Sequence, residues 1–341
     1  MISAFVHQVA ESGSDKSKKP LSAKTLLEYA KAAETWCSAI LHLNLRGALS
    51  EKGIIHPFLA EVVAQRRAWD KPRSKKEPIT MEMFENAQRF VIERVKNDRA
   101  FFLSRPATVH NFACLSTFTG SRAGEYAQTK AKRGTYNRIP CSTDAGEWAG
   151  MPLAFIRSDF TFWSTNGSEL NKTNLHLVRK QADEVYIRFR YDKSLNNFTI
   201  RKFKRTGHPY LCPVLASCNI LFRANLLGVP SQEPIGAFRL QKNRNSGYTF
   251  LTNDDVTSEL RSTCLRTYPE ASHYMNINHK CIMAHSGGLT AAVALYTAGQ
   301  TYETIAFRLR WSVQSVQHYI RERCQHIGNL CQAVLTGAGR I

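Results

Sequence analysis

The chain has 341 residues, 43% of them apolar and 21% charged, a globular composition that excludes wholesale disorder. Forty-six Lys and Arg against 27 Asp and Glu leave a formal charge of +19, which attracts polyanions and makes nucleic acid the natural partner. No uninterrupted apolar run approaches the roughly 18–20 residues of a membrane span, and the Ser/Lys-rich stretch Met1–Lys19 lacks a signal peptide's apolar centre. The nine cysteines are odd in number and none has C-x-x-C spacing, which argues against a disulfide framework or a zinc ribbon. The chain is therefore expected to be soluble and intracellular, and His279, Cys281 and His285 are not read as a metal site, because no second half-motif accompanies them.

Residues 1–20 are expected to form a disordered leader. Apolar residues from Leu26 to Ile40 recur at helical spacing, and residues 57–68 predict a second helix. The segment from Asp70 to Pro78 carries two prolines and four basic residues with nothing bulky and apolar, so a domain boundary is placed there. The domains are thus residues 21–75, small and helical, and residues 76–341. In the second, Thr80 is a plausible N-cap for a helix to about Lys96. Another helix covers about 107–118 and ends at Gly120, with helical signal again from Arg122 to Thr129. Residues 135–150 read as loop.

Strands are expected at 153–163, 185–192 and 197–204. The last two form a hairpin around Asn196-Asn197, with one apolar face and one largely cationic face. Residues 171–210 hold ten Lys and Arg against Asp183, Glu184 and Asp192, a local net of +7. A helix follows from Pro213 to Leu227, then a loop-rich stretch over 230–250. Helices are expected near 253–266, 285–298, 301–309, 312–321 and 323–335. The fold class is α+β, mainly helical, with a small antiparallel sheet.

Taken alone, Tyr319 among basic neighbours could be a nucleophile toward a phosphodiester, although a packed tyrosine with a bonded hydroxyl is the commoner case. The constellation around it is more specific. Thr119-Gly-Ser-Arg122-Ala-Gly-Glu125-Tyr, the hairpin Tyr191-Asp-Lys193-Ser-Leu-Asn-Asn, Ala284-His285-Ser286, Arg310-Trp311-Ser312 and Tyr319-Ile-Arg321 follow one another in order. Together they resemble the motifs of the tyrosine recombinases, the phage-integrase family, across residues 80–321. Cys212-Pro-Val and Phe307-Arg-Leu-Arg-Trp look closest to its eukaryotic, Crypton-like branch.

The resemblance implies a helical, SAM-like core-binding domain ahead of a catalytic domain, and the two would clamp duplex DNA. It implies that Tyr319 attacks phosphorus to form a 3′-phosphotyrosine. Arg122 would hold the phosphate oxygens, Lys193 would protonate the leaving 5′-oxygen, His285 would assist proton transfer, and Trp311 would pack under the site or donate its indole N–H. No metal or cofactor is implied, since arginine supplies the positive charge. It further implies recombination or integration of a mobile element, a tetramer on two DNA sites, and a nuclear location if the source is eukaryotic, cytoplasmic otherwise.

Lys180, Arg190, Lys202, Lys204, Arg205, Arg308 and Arg310 are expected to contact DNA. Lys202 and Lys204 also compete with Lys193 for the acid role, because hairpin register is not readable from sequence. Glu125 either orients Arg122 or pairs on the surface. The amphipathic stretch from Arg321 to Leu335 packs on a neighbouring subunit or on its own core.

One departure stands out. The family pattern His-x-x-Arg reads His285-Ser286-Gly287-Gly288 here, so glycine stands where the second arginine belongs. Losing one such donor costs about 10²–10³ in rate. Arg308 and Arg310 are the neighbours that could replace it, though they read first as DNA-facing or solvated. A non-catalytic DNA-binding descendant is the alternative. A third possibility, a nucleic-acid protein that uses only the basic sheet, requires that Arg122, Lys193, His285 and Tyr319 do not converge.

Overall fold

The computed structural model describes residues 76–129, 135–141, 143–190, 199–240, 247–269 and 279–320, with a few of the first 75. The chain divides into two compact units, Met1–Ser74 and Lys75–Ile341. In the first, Thr25–Tyr29 is helical with Leu26 buried, and Glu61 and Ala64 are helical within the expected second helix. Two short strands, β1 (Ser50–Glu51) and β2 (Ile54–Ile55), pair antiparallel there, which the all-helical expectation lacked. The expected leader, the hairpin turn with Lys193, and the terminal helix from 323 lie outside the described residues.

The second unit is α+β and mainly helical, with a small antiparallel sheet. Its first helix, α1 (Met81–Asn97), starts where the side chain of Thr80 accepts the Met83 N–H. Helix α2 (Arg105–Thr119) is buried on nearly every side, which explains its weak amphipathic pattern: it is the central helix. It ends at Gly120, in the left-handed conformation at φ 63°. A Cβ there would meet Leu309 at 2.8 Å, so glycine is required both by the backbone and by the neighbour.

The four-stranded sheet runs β4 (Glu169–Leu170), β3 (Phe160–Ser164), β5 (Ala182–Phe189), β6 (Thr199–Lys204), all neighbours antiparallel. Val185 faces Phe203 and Ile187 faces Arg201 across the β5–β6 ladder. Phe160, Phe162, Val185, Ile187, Phe189 and Phe203 are buried in the main core. The first expected strand, 153–163, is shorter: residues 157–159 make a 3₁₀ turn before β3. Helix α3 (Leu175–Gln181) occupies residues for which no element was expected, and Asn174 caps it by accepting the Leu177 N–H.

Helix α4 (Pro213–Leu226) packs on α2 and the sheet. The stretch expected to be loop contains a two-stranded ribbon, β7 (Ala237–Arg239) with β8 (Tyr248–Phe250). Helix α5 (Asn253–Thr267) begins with a reciprocal Thr252–Asp255 capping box. Three helices close the described chain: α6 (Ser286–Thr297), α7 (Tyr302–Leu309) and α8 (Val313–Ile320). They share a second apolar cluster of Ala291, Ala292, Ile305, Leu309, Val316 and Ile320. Among the described residues no helix is long and apolar enough to cross a membrane.

Candidate functional site

Three sequence segments meet where α2 ends, α6 begins and α7 turns into α8. The first is the turn after Gly120. Arg122 caps a short 3₁₀ turn, Ala123–Glu125, rather than entering the α-helix expected to Thr129. The Arg122 backbone N–H donates to Glu125 Oε2 at 3.1 Å, and the Glu125 N–H returns to the Arg122 carbonyl at 2.9 Å. Glu125 therefore folds back on the backbone of Arg122, and its side chain is buried.

The second segment is tied to the first by Tyr126, whose hydroxyl donates to the Ala284 carbonyl at 2.7 Å. Burial raises the Tyr126 phenol well above its ordinary range, so it stays protonated as a donor. His285 follows at the N-cap of α6, exposed. Gly287 and Gly288 come next, both buried. A side chain at 287 would run into Ser116 of α2, so this glycine permits a close helix crossing. At 288 a Cβ would lie 3.0 Å from Trp311 Cζ2 and 3.4 Å from the Gly120 carbonyl oxygen.

The third segment is the α7–α8 turn. Arg310 sits in the left-handed region at φ 59°, the sole non-glycine residue with positive φ among the described residues. For a residue with a Cβ this costs about 1–2 kcal/mol. Its side chain runs inward: Nη1 and Nη2 donate to Glu125 Oε1 and Oε2, each at 3.0 Å. The guanidinium lies 3.5 Å from the centroid of the Phe189 ring. Next to it, Trp311 Nε1 donates to the Gly120 carbonyl at 3.3 Å, and its indole packs against the Tyr319 ring with centroids 5.3 Å apart. Tyr319 is half-buried, because the neighbouring Val316 and Ile320 turn into the core.

Arg122, His285, Trp311 and Tyr319 thus lie on segments joined by direct contacts, while Lys193 lies outside the described residues. The expected DNA contacts divide. Lys180 is exposed at the end of α3. Lys202 and Lys204 are exposed on the outer sheet face, both reaching Glu184, at 2.8 and 3.6 Å. Donating to Glu184 and Tyr186 raises the Lys202 ammonium, and accepting from Lys202 helps lower Glu184. Arg205 is half-buried and donates to the carbonyls of Ala182 and Arg179, both at 2.7 Å. Arg308 donates to the Lys202 carbonyl at 3.0 Å and lies over the Phe203 ring.

Two expectations are corrected. Arg190 is 5% exposed; its Nε donates to Asp159 at 2.9 Å and its two terminal nitrogens to the Pro152 and Ala154 carbonyls at 2.7 Å. It is a structural brace, because β5 ends at Phe189 and the chain turns Arg190 inward. Arg310 is 3% exposed and committed to Glu125, so it too is not a surface DNA contact. The same pair closes the question left open for Glu125: it holds the Arg122 backbone and Arg310 together in the interior.

Arg201 was not singled out by sequence. The β5–β6 register puts it on the face of Phe203, where it donates to the Phe307 carbonyl at 3.3 Å and stacks on the Phe307 ring at 4.5 Å. The alternation Thr199, Arg201, Phe203 carried that signal. Burial, with the Arg310 charge behind it, lowers the Arg201 guanidinium; burial and Arg201 do the same to Arg308. Arg201, Arg308 and Arg310 are therefore mutually repelling cations around one turn.

No family model matches the chain. No curated protein matches it either. Among solved structures it is similar to the Tn1549 transposon integrase in complex with transposon right end DNA, at 10% identity and a TM-score of 0.42, covering 98% of this chain and 84% of that one. A second structure of that integrase, with a circular intermediate DNA, aligns at 13% identity and a TM-score of 0.43, with the same coverage. The XerA recombinase aligns at 12% identity and a TM-score of 0.38 over 98% of both chains.

Proposed function

We propose that this protein is a DNA-binding tyrosine recombinase that cleaves and rejoins DNA strands through a 3′-phosphotyrosine. The observation that carries the reading is the indole of Trp311, which joins the Gly120 carbonyl ahead of Arg122 to the ring of Tyr319. Motifs nearly 200 residues apart in sequence order are thereby held in one place.

The chemistry follows from the residue types. The Tyr319 oxygen attacks phosphorus, the bond to the 5′-oxygen breaks, and the leaving oxygen takes a proton from Lys193. Lys202 and Lys204 are held by Glu184 on the outer face, which favours Lys193 for that step. Arg122 stabilises the charge that builds on the non-bridging oxygens, and His285 handles the proton of the nucleophile. Reversal by another strand's 5′-hydroxyl needs no energy source, because the bond is stored covalently. The first unit would supply a second DNA-binding surface, and the active form would be a tetramer on two sites. A mobile element as source and a nuclear location belong to the same proposal.

Covalent trapping tests it. The protein is mixed with nicked duplexes of randomised sequence and denatured, and the adduct is read on a gel. An adduct lost in Tyr319→Phe is the expected result; duplex binding without adduct across the randomised pool would overturn cleavage. That second outcome is the DNA-binding alternative, which the glycine at 288 favours.

A further inference from the structure

We propose that Arg310 takes over from the arginine absent at position 288, entering the site from the turn before Trp311 instead of from α6, and acts as a positioning residue for Arg122. Its catalytic consequence rests on the cleavage reading above; its geometry does not.

The first observation is the backbone. A glycine at 310 would end α7 in the left-handed conformation without strain, yet an arginine stands there at φ 59°. A surface charge would not require that conformation, because the neighbouring Arg308 already offers one from ordinary helix. The side chain itself must be what the site uses. It is buried, forked onto both oxygens of Glu125, and stacked on Phe189. Glu125 Oε2 also accepts the Arg122 N–H. A continuous chain of contacts thus runs from the Arg310 guanidinium to the backbone of Arg122.

The second observation is position 288. Its Cβ would lie 3.0 Å from Trp311 Cζ2 and 3.4 Å from the Gly120 carbonyl oxygen, so a side chain there requires the indole to shift. Trp311 holds that space, and Arg310, one residue earlier, carries a buried cation onto Glu125. The two departures from the family pattern then account for each other. The glycine then belongs with a rearranged site, in which an arginine supports Arg122 through Glu125.

A double-mutant cycle tests the proposal. Arg122→Ala, Arg310→Lys and the pair are compared for affinity to a random-sequence duplex over a salt series, for covalent adduct on nicked duplexes, and for melting temperature. Lysine keeps the charge but cannot fork. Arg310→Lys is expected to melt close to the native protein and to lose about tenfold in affinity or adduct. In the Arg122→Ala background the same change should cost nothing further. A full additive loss in that background, or no loss from Arg310→Lys in either readout, would overturn the proposal. If the native protein yields no adduct, cleavage fails as a reading while the affinity cycle still decides the role of Arg310. Should Arg310→Lys not fold, Arg310→Met with Glu125→Gln removes both buried charges and carries the same cycle.

Discussion

Trp311 occupies the space that a side chain on Gly288 would need: a Cβ at 288 would lie 3.0 Å from Trp311 Cζ2. The indole is held by its bond to Gly120 and by the Tyr319 ring, so it has little room to yield. Gly288→Arg, the apparent repair of the family pattern, is therefore expected to destabilise by about 1–3 kcal/mol through overpacking. Urea unfolding checks this. A stabilised variant would show that Trp311 moves aside freely.

The Glu125–Arg310 pair predicts a larger loss. Glu125→Ala leaves a buried guanidinium without its carboxylate, which costs about 3–5 kcal/mol. Replacing both residues by apolar or neutral ones should recover much of this. Equal losses in Glu125→Ala and in the double variant would mean that the charges are not coupled.

Arg190 separates bracing from binding. Arg190→Ala strands the buried Asp159 carboxylate and should lower stability by about 3–5 kcal/mol. In the folded fraction the slope of duplex affinity against salt should not change. Lys202→Ala and Lys204→Ala should each reduce that slope by about one while leaving the melting temperature nearly unchanged. Fluorescence anisotropy at graded salt reads both results.

His110 makes stability depend on pH. Burial, with the Arg223 charge nearby, lowers its imidazole to about 4 from the ordinary 6.5. The unfolded chain takes up the proton near pH 6.5, and the folded one only near 4. Its contribution is thus complete above pH 6.5 and is lost as pH falls toward 4, by about 3 kcal/mol at most. His110→Gln should flatten the melting curve in this window relative to the native protein. Parallel pH profiles for the two would remove His110 as the cause.

Regular elements with caps were legible from sequence. Thr80 announces α1, Gly120 ends α2, and the period of Ile305 and Leu309 marks α7. The β5–β6 hairpin was legible from its alternation, but not the fate of its arginines. Arg190 and Arg188 look alike in the strand, and only the end of pairing at Phe189 turns one of them inward. Short strands β7 and β8 escaped because three residues carry no period. The motif order put Arg122, His285, Trp311 and Tyr319 on segments that prove to touch one another, through Tyr126, Gly120 and the Trp311 indole. The Glu125–Arg310 bond was not visible, since its partners stand 185 residues apart and one adopts a backbone conformation that arginine seldom takes.

That separation also sets when the site can exist. During synthesis Glu125 emerges long before Arg310, and until the α7–α8 turn arrives its carboxylate has the Arg122 N–H but no guanidinium to pair with. A chain stopped short of residue 310 lacks the guanidinium, the indole and the phenol together. A nascent or truncated copy can therefore carry much of the chain's positive charge, yet it lacks the side chains on which the proposed cleavage depends.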